Sequence, residues 1–148
     1  MTILFHKYQG TGNDFIMIDQ REKKIIDHEN IELIRFLCDR RFGIGSDGLI
    51  LLEKSDNYDF RMVYFNADGR QSSMCGNGGR CLIQFAYSMG IFEKNTTFEA
   101  IDGLHEGQIN QDSTISLQMS DIKKIKTINS NTYELNTAID SFNNVLKP

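Results

Sequence analysis

One glycine-rich stretch around a cysteine, residues 66–81, constrains this chain more than any other feature. Its sequence reads NADGRQSSMCGNGGRC. Before it, residues 58–65 alternate in the manner of a β-strand, and after it apolar residues recur at helical spacing, namely Leu82, Phe85, Ala86 and Met89. Cys75 is therefore predicted to lie in a loop that leaves a strand and enters a helix.

The place of Cys75 before a helix predicts a reactive thiol. The first N–H groups of a helix have no intrahelical partner, and the helix dipole is positive there. Glycines at 76, 78 and 79 would leave that backbone open to an anion. A thiol in such a place ionises more easily than a free one. Most single cysteines are small buried hydrophobes, but we take the adjacent glycines as favouring the reactive role.

Charge and length restrict the classes of function. The 148 residues carry 16 Lys and Arg against 20 Asp and Glu, a net charge of −4. This balance offers no basic stripe for nucleic acid. No apolar run approaches the roughly 20 residues that cross a bilayer, and the N-terminus lacks the layout of a signal peptide. We expect a cytoplasmic protein with neither a nucleic-acid nor a membrane partner.

The three cysteines, Cys38, Cys75 and Cys81, are expected to be free thiols, because their number is odd and no export signal is present. The six-residue spacing of Cys75 and Cys81 is not a usual zinc spacing, and the three histidines are scattered singly. We expect no metal site.

The remaining pattern predicts a strand-rich α+β domain with two main helices. The first two strands are expected to form a hairpin with a wide loop, and Asp27 or Asn30 to cap the first helix. Helices are predicted at 30–41 and from the cysteine loop to about residue 90. Strands are predicted at 3–8, 15–18, 49–52, 58–65, 96–101, 105–110 and 114–119, with further extended segments at 122–128 and 133–136 and little pattern at 140–148.

Three stretches together resemble one family. They are GTGNDF at 10–15, RFGIGSDG at 41–48, and FNADG at 65–69 running into MCGNGGRC at 74–81. In this order and spacing they are similar to diaminopimelate epimerases, cofactor-independent amino-acid epimerases of lysine and cell-wall precursor synthesis. The resemblance runs from about residue 3 to about residue 119.

The resemblance implies a mechanism with two cysteines, one on each face of the substrate α-carbon. One thiolate removes the α-proton and the opposite thiol returns a proton, converting LL- to meso-diaminopimelate without a cofactor. Cys75 matches the cysteine of the family's first half. The family pattern makes Asn13, Asn66, Gly76 and Asn77 substrate contacts, which suits amide donors and acceptors facing an amino-acid head group.

The chain departs from the family in three respects. Gly79 stands where alanine is more common, and Gly48 stands where some members carry a substrate-contacting glutamine, so that role is not transferred. Family members also have two similar halves and very roughly twice this length. The resemblance thus implies an N-terminal epimerase-like domain at 1–120 and, at 121–148, the partly irregular start of a crossover to a second domain. We expect association with such a second half or with another copy.

Neither remaining cysteine is expected to serve as the second acid or base. Cys81 lies six residues after Cys75 on the same helix, about 120° away around the axis, and Cys38 lies on the apolar stripe of the other helix. We therefore expect little or no epimerase activity from this chain alone.

Three other readings stay open from the sequence. One is a non-catalytic domain that binds amino acids through the same asparagines. A second is a proline-racemase-type enzyme, a class that tends to carry histidine where Asn77 stands. The third is a cysteine hydrolase, which needs a histidine beside the thiol.

Overall fold

The computed structural model describes residues 2–119 and three further strands at 124–129, 132–136 and 144–146. The chain divides into a unit that ends at Gln118 and a unit of residues 119–148. The first unit contains β1 (His6–Gly10), β2 (Asn13–Asp19), α1 (Ile31–Cys38), β3 (Gly48–Glu53), β4 (Phe60–Asn66), α2 (Gly76–Ser88), β5 (Asn95–Ala100), β6 (Gly103–Ile109) and β7 (Ile115–Leu117). The strand-rich α+β class with two main helices is confirmed.

All strands of the first unit belong to one sheet in the order β1–β2–β3–β4–β5–β6–β7. Neighbouring strands are antiparallel except for two pairs, β2 with β3 and β4 with β5, which are parallel. Parallel neighbours need a crossover connection. Helix α1 lies in the first crossover and α2 in the second, which is why the sheet needs two helices.

The two helices cover opposite faces of the sheet. Along β2, Phe15 and Met17 belong to the apolar cluster that contains the buried side of α2, whereas Ile16 and Ile18 belong to the cluster that contains the buried side of α1. All four residues are fully buried. A strand covered on both faces needs no polar alternation, which explains the uninterrupted apolar run in the sequence.

The predicted hairpin of β1 and β2 forms, but its predicted wide loop is wrong. Gly10 pairs with Asn13, so only Thr11 and Gly12 connect the strands. Both have positive φ, 56° and 86°, as the tight primed turns of hairpins require. The turn therefore fixes the register that places Asn13 at the start of β2.

Helix α1 is shorter than the predicted 30–41. Asn30 is its cap, since Oδ1 of Asn30 accepts a hydrogen bond from the N–H of Leu33 (3.1 Å). The helix ends after Cys38 because Asp39 is extended and its carboxylate accepts from the N–H groups of Arg41 and Phe42. The predicted stripe is buried at Ile34, Leu37 and Cys38, whereas Ile31 in the first turn is exposed.

The predicted meander after α2 is confirmed, with β5, β6 and β7 successively antiparallel. The second unit contains β8 (Lys124–Asn129), β9 (Thr132–Asn136) and β10 (Asn144–Leu146), in the sheet order β10–β9–β8. The last of these is a strand in a stretch for which we predicted none. Neither described helix has the length and apolar character needed to cross a membrane.

Candidate active site

Cys75 is the residue immediately before α2, as predicted. Its carbonyl oxygen accepts the first helical hydrogen bond, from the N–H of Gly79 (2.7 Å). Its backbone is extended and its side chain does not cap the helix. The half-buried thiol therefore lies beside the first-turn amides of Gly76 and Asn77 and is not engaged by them through a side-chain cap.

The glycines that follow Cys75 differ in role from our prediction. Gly78 and Gly79 are buried and do not open the backbone to an anion. A Cβ on Gly78 would lie 2.8 Å from Cδ1 of Ile50 on β3, and one on Gly79 would lie 2.6 Å from Cδ2 of Leu117 on β7. These two glycines let α2 approach the sheet closely. Of the predicted glycine amides, only that of Gly76 remains at the partly exposed surface.

The side chain of Asn13 lies against Cys75. Oδ1 of Asn13 is 3.8 Å from Sγ of Cys75 and also accepts from Nδ2 of Asn77 (3.4 Å). Asn13 begins β2 and Gly76 begins α2, so the packing of this helix on this strand brings the two motifs together. Four of the five residues predicted for the site, Asn13, Cys75, Gly76 and Asn77, therefore lie together.

Asn66, the fifth predicted residue, lies at the end of β4 opposite Gly48. Its Oδ1 accepts a hydrogen bond from the hydroxyl of Tyr64 (2.8 Å). Burial first, and then the negative charge of a Cys75 thiolate, raise the pKa of Tyr64 to about 12. Tyr64 thus stays protonated at neutral pH and donates to Asn66, and no described hydrogen bond joins Asn66 to Cys75, Asn13 or Asn77.

Asp47 was not predicted as a site residue, yet it contacts Asn13 directly. Oδ2 of Asp47 accepts from Nδ2 of Asn13 (2.8 Å) and from the N–H of Asp14 (3.2 Å). Its other oxygen pairs with Arg40 (2.8 Å). The hydrogen bond from Asn13 is the largest of several contacts that hold the pKa of Asp47 below its usual value. Asp47 is therefore an anion at neutral pH.

Arg80 is a second residue that the sequence reasoning missed. Its guanidinium donates to Oδ1 of Asn77, and Oγ1 of Thr11 lies 3.4 Å from the same oxygen. Arg80 lies one helical turn after Asn77, a spacing at which side chains meet on one helix face. That spacing was the available signal, whereas no local pattern links Asp47 to Asn13.

The other two thiols are placed as expected. Cys81 is 4% exposed and Cys38 is 3% exposed. Burial raises the pKa of Cys81 to about 11 and also raises the pKa of Cys38. Cys81 lies on the wall of a cavity of about 550 Å³ that also involves Thr11 and Arg80. Both thiols are protonated at neutral pH and packed in the core.

The described residues around Cys75 thus form one polar wall. The wall carries a thiol, two fixed amide side chains and the start of a helix. Within the same part of the chain, no three His, Cys, Asp or Glu side chains converge as metal ligands. The arrangement suits proton transfer at a small polar ligand.

Comparison with known proteins shows which family the chain resembles. The sequence pattern of the diaminopimelate epimerase family matches residues 5–125. The diaminopimelate epimerase of Flavobacterium psychrophilum is 58% identical over 132 residues, which are 89% of this chain and 51% of the relative. That of Chlorobaculum tepidum is 48% identical over 74% of this chain and 43% of the relative.

Among solved structures, a probable proline racemase from Agrobacterium radiobacter has a similar fold. The TM-score is 0.68 at 17% identity, over 90% of this chain and 49% of that one. At this identity the likeness shows the fold alone. This chain spans about half the length of the curated relatives it matches. On the match over residues 5–125 and the 58% identity, the chain belongs to the diaminopimelate epimerase family.

Proposed function

We propose that this chain forms one half of the active site of a diaminopimelate epimerase, with Cys75 as one of its two acid–base residues. The observation that carries the proposal is the contact of the Cys75 thiol with Asn13, at the start of a helix and 3.8 Å from an amide oxygen. The substrate is the amino acid diaminopimelate, and the reaction inverts its α-carbon without a cofactor.

Each predicted residue has a role in this proposal. The backbone amides of Gly76 and Asn77 hold the substrate carboxylate at the positive end of α2 and stabilise the charge that develops as the α-proton leaves. Asn13 and Asn66 contact the polar groups of the amino acid. Cys75 takes the proton from one face of the carbon or delivers it there.

The second acid–base residue comes from elsewhere than the described residues. An amino-acid α-proton is a very weak acid, so its removal needs a paired acid and a dry, enclosed site. Cys38 and Cys81 are buried and protonated. We therefore expect the second cysteine on a second half-domain that closes over Cys75. We also expect the reaction to take place in the cytoplasm.

The test is exchange of the substrate α-hydrogen with deuterated water, followed by NMR. We expect little or no exchange with this chain alone. Exchange should appear when the chain is mixed with, or fused to, the second half of the Flavobacterium psychrophilum relative. In that assembly Cys75→Ala should reduce the exchange rate by about a thousandfold or more, since it removes the acid–base group.

Cys81→Ala is the matched control, because it removes a thiol from the same helix without touching the proposed site. It should retain exchange within about tenfold of the unmodified assembly. Equal loss of exchange in the two variants would contradict the role of Cys75. Rapid exchange by the isolated chain would show that a second half is not needed.

A further inference from the structure

Four side chains at the site form a single line of hydrogen bonds between an anion and a cation. Nδ2 of Asn13 donates to Asp47, Nδ2 of Asn77 donates to Oδ1 of Asn13, and Arg80 donates to Oδ1 of Asn77. The members come from the loop before β3, from β2 and from α2. We call this line the amide relay.

The two charged ends determine which way each amide faces. A carboxylate can only accept, so Asp47 requires the NH₂ group of Asn13. A guanidinium can only donate, so Arg80 requires the oxygen of Asn77. The NH₂ group of Asn77 is then left to face the oxygen of Asn13. Both ends therefore select the same orientation of the middle hydrogen bond.

The orientation of the Asn13 amide determines which of its polar groups faces the Cys75 thiol. With the relay intact, Oδ1 of Asn13 lies 3.8 Å from Sγ of Cys75, so an acceptor faces the thiol. If the Asn13 amide turned over, its NH₂ group would face the sulfur. An amide oxygen favours the protonated thiol, whereas an NH₂ group favours the thiolate.

We propose that Asp47 and Arg80 are positioning residues that act through the amide relay, holding the Asn13 oxygen toward Cys75. The relay keeps one fixed pattern of donors and acceptors beside the thiol. The inference rests on the proposed function for its catalytic meaning, but the relay itself is measurable in this chain without any turnover.

A double-mutant cycle tests the relay. Asp47→Ala, Arg80→Ala and the double variant are compared with the unmodified chain by the rate at which iodoacetamide alkylates Cys75, read by peptide mass spectrometry. In each single variant, the remaining charged residue still sets the orientation of both amides. Only in the double variant is neither amide held in one orientation. The double variant should therefore react at least about threefold faster than the product of the single effects predicts.

The cycle and two further variants separate the orientation of the amides from the direct effect of each charge on the Cys75 thiolate. When two charges act independently on the thiolate, their effects on the alkylation rate multiply, and the cycle shows no coupling. Asp68→Asn removes a carboxylate that accepts from the N–H of Arg70 and makes no described hydrogen bond to the relay, so its cycle with Arg80→Ala should show no coupling. Asp47→Asn keeps an amide oxygen that can accept from Asn13, so its cycle with Arg80→Ala should show much less coupling than the cycle with Asp47→Ala.

The side-chain NH₂ signals of Asn13 in a ¹H–¹⁵N NMR spectrum provide the second readout. They should shift in Asp47→Ala and stay closer to their original position in Asp47→Asn. If Arg80→Ala does not fold, Arg80→Met, which is of similar length and has no donor, supplies the same cycle. Alkylation effects that multiply without coupling, or Asn13 signals that do not respond to Asp47→Ala, would overturn the relay while leaving the exchange test of the proposed function intact.

Discussion

Helix α2 has two regions that differ sharply although each carries a cysteine. At its start, Cys75 is half-buried among amides and lies beside a network of charged side chains. In its middle, Cys81 is buried in the apolar cluster between the helix and the sheet. The same side chain is thus a candidate acid–base group at one place and core packing at the other. Position relative to the helix start and to the sheet, rather than residue type, sets the chemistry.

The largest expected difference between the two regions is thiol reactivity. A pKa of about 11 leaves roughly one Cys81 in a thousand ionised at pH 8, and burial further restricts access. Cys75 should therefore be alkylated at least about a hundredfold faster than Cys81 in the folded chain. Peptide mass spectrometry after a timed iodoacetamide reaction measures both sites at once. Comparable rates at the two cysteines would contradict the different surroundings of Cys75 and Cys81.

The second difference concerns the glycines on which α2 rests. Gly78→Ala should destabilise the fold by about 1–3 kcal/mol, because its Cβ would press on Ile50 in the core. Gly79→Ala should cost much less, since the end of the Leu117 side chain can move and alanine is the better helix former. Urea unfolding followed by circular dichroism measures both variants. A larger loss for Gly79→Ala would contradict this account.

A third difference is the change in the free energy of unfolding when each cysteine is replaced by serine. Cys81→Ser should reduce the free energy of unfolding by about 1–3 kcal/mol, because it buries a polar group among apolar side chains. Cys75→Ser should change it by less than about 0.5 kcal/mol, since the half-buried side chain already faces the polar Oδ1 of Asn13. Thermal melts of the two variants provide the measurement. An equal loss would mean that Cys75 is core as well.

The smallest expected effect is that of pH on the charged network beside the start of α2. The guanidinium of Arg40, together with Lys7, holds the pKa of Asp14 well below its usual value despite partial burial. A lowered pKa gives stability that is present above the unfolded value and is lost as pH falls through the folded one. Because Arg40 is largely exposed, we expect less than about 1 kcal/mol.

Asp14→Asn tests this pH effect. Its free energy of unfolding should depend less steeply on pH than that of the unmodified chain between about pH 5 and pH 2, where aspartates titrate in the folded and unfolded chain. An unchanged pH profile would mean that the network does not contribute to stability.

The sequence predicted the elements better than their packing. The alternating and helical spacings around residues 66–81 located β4, Cys75 and α2, and the family resemblance named Asn13 and Asn77. The sequence did not reveal that Gly78 and Gly79 serve helix packing, because that depends on how closely α2 lies to Ile50 and Leu117. Nor did it reveal Asp47, whose contact with Asn13 spans 34 residues and arises only from the parallel pairing of β2 with β3.

The covering of β2 on both faces links folding to the site. A shift of this strand by one residue would exchange Phe15 and Met17 for Ile16 and Ile18 between two filled cores, and would carry Asn13 away from the sulfur. A molecule with this mispairing would thus lose both its core packing and the contact of Asn13 with Cys75. Quality control that removes unfolded chains would also remove chains whose candidate site is misassembled, because the Thr11–Gly12 turn sets the register of both.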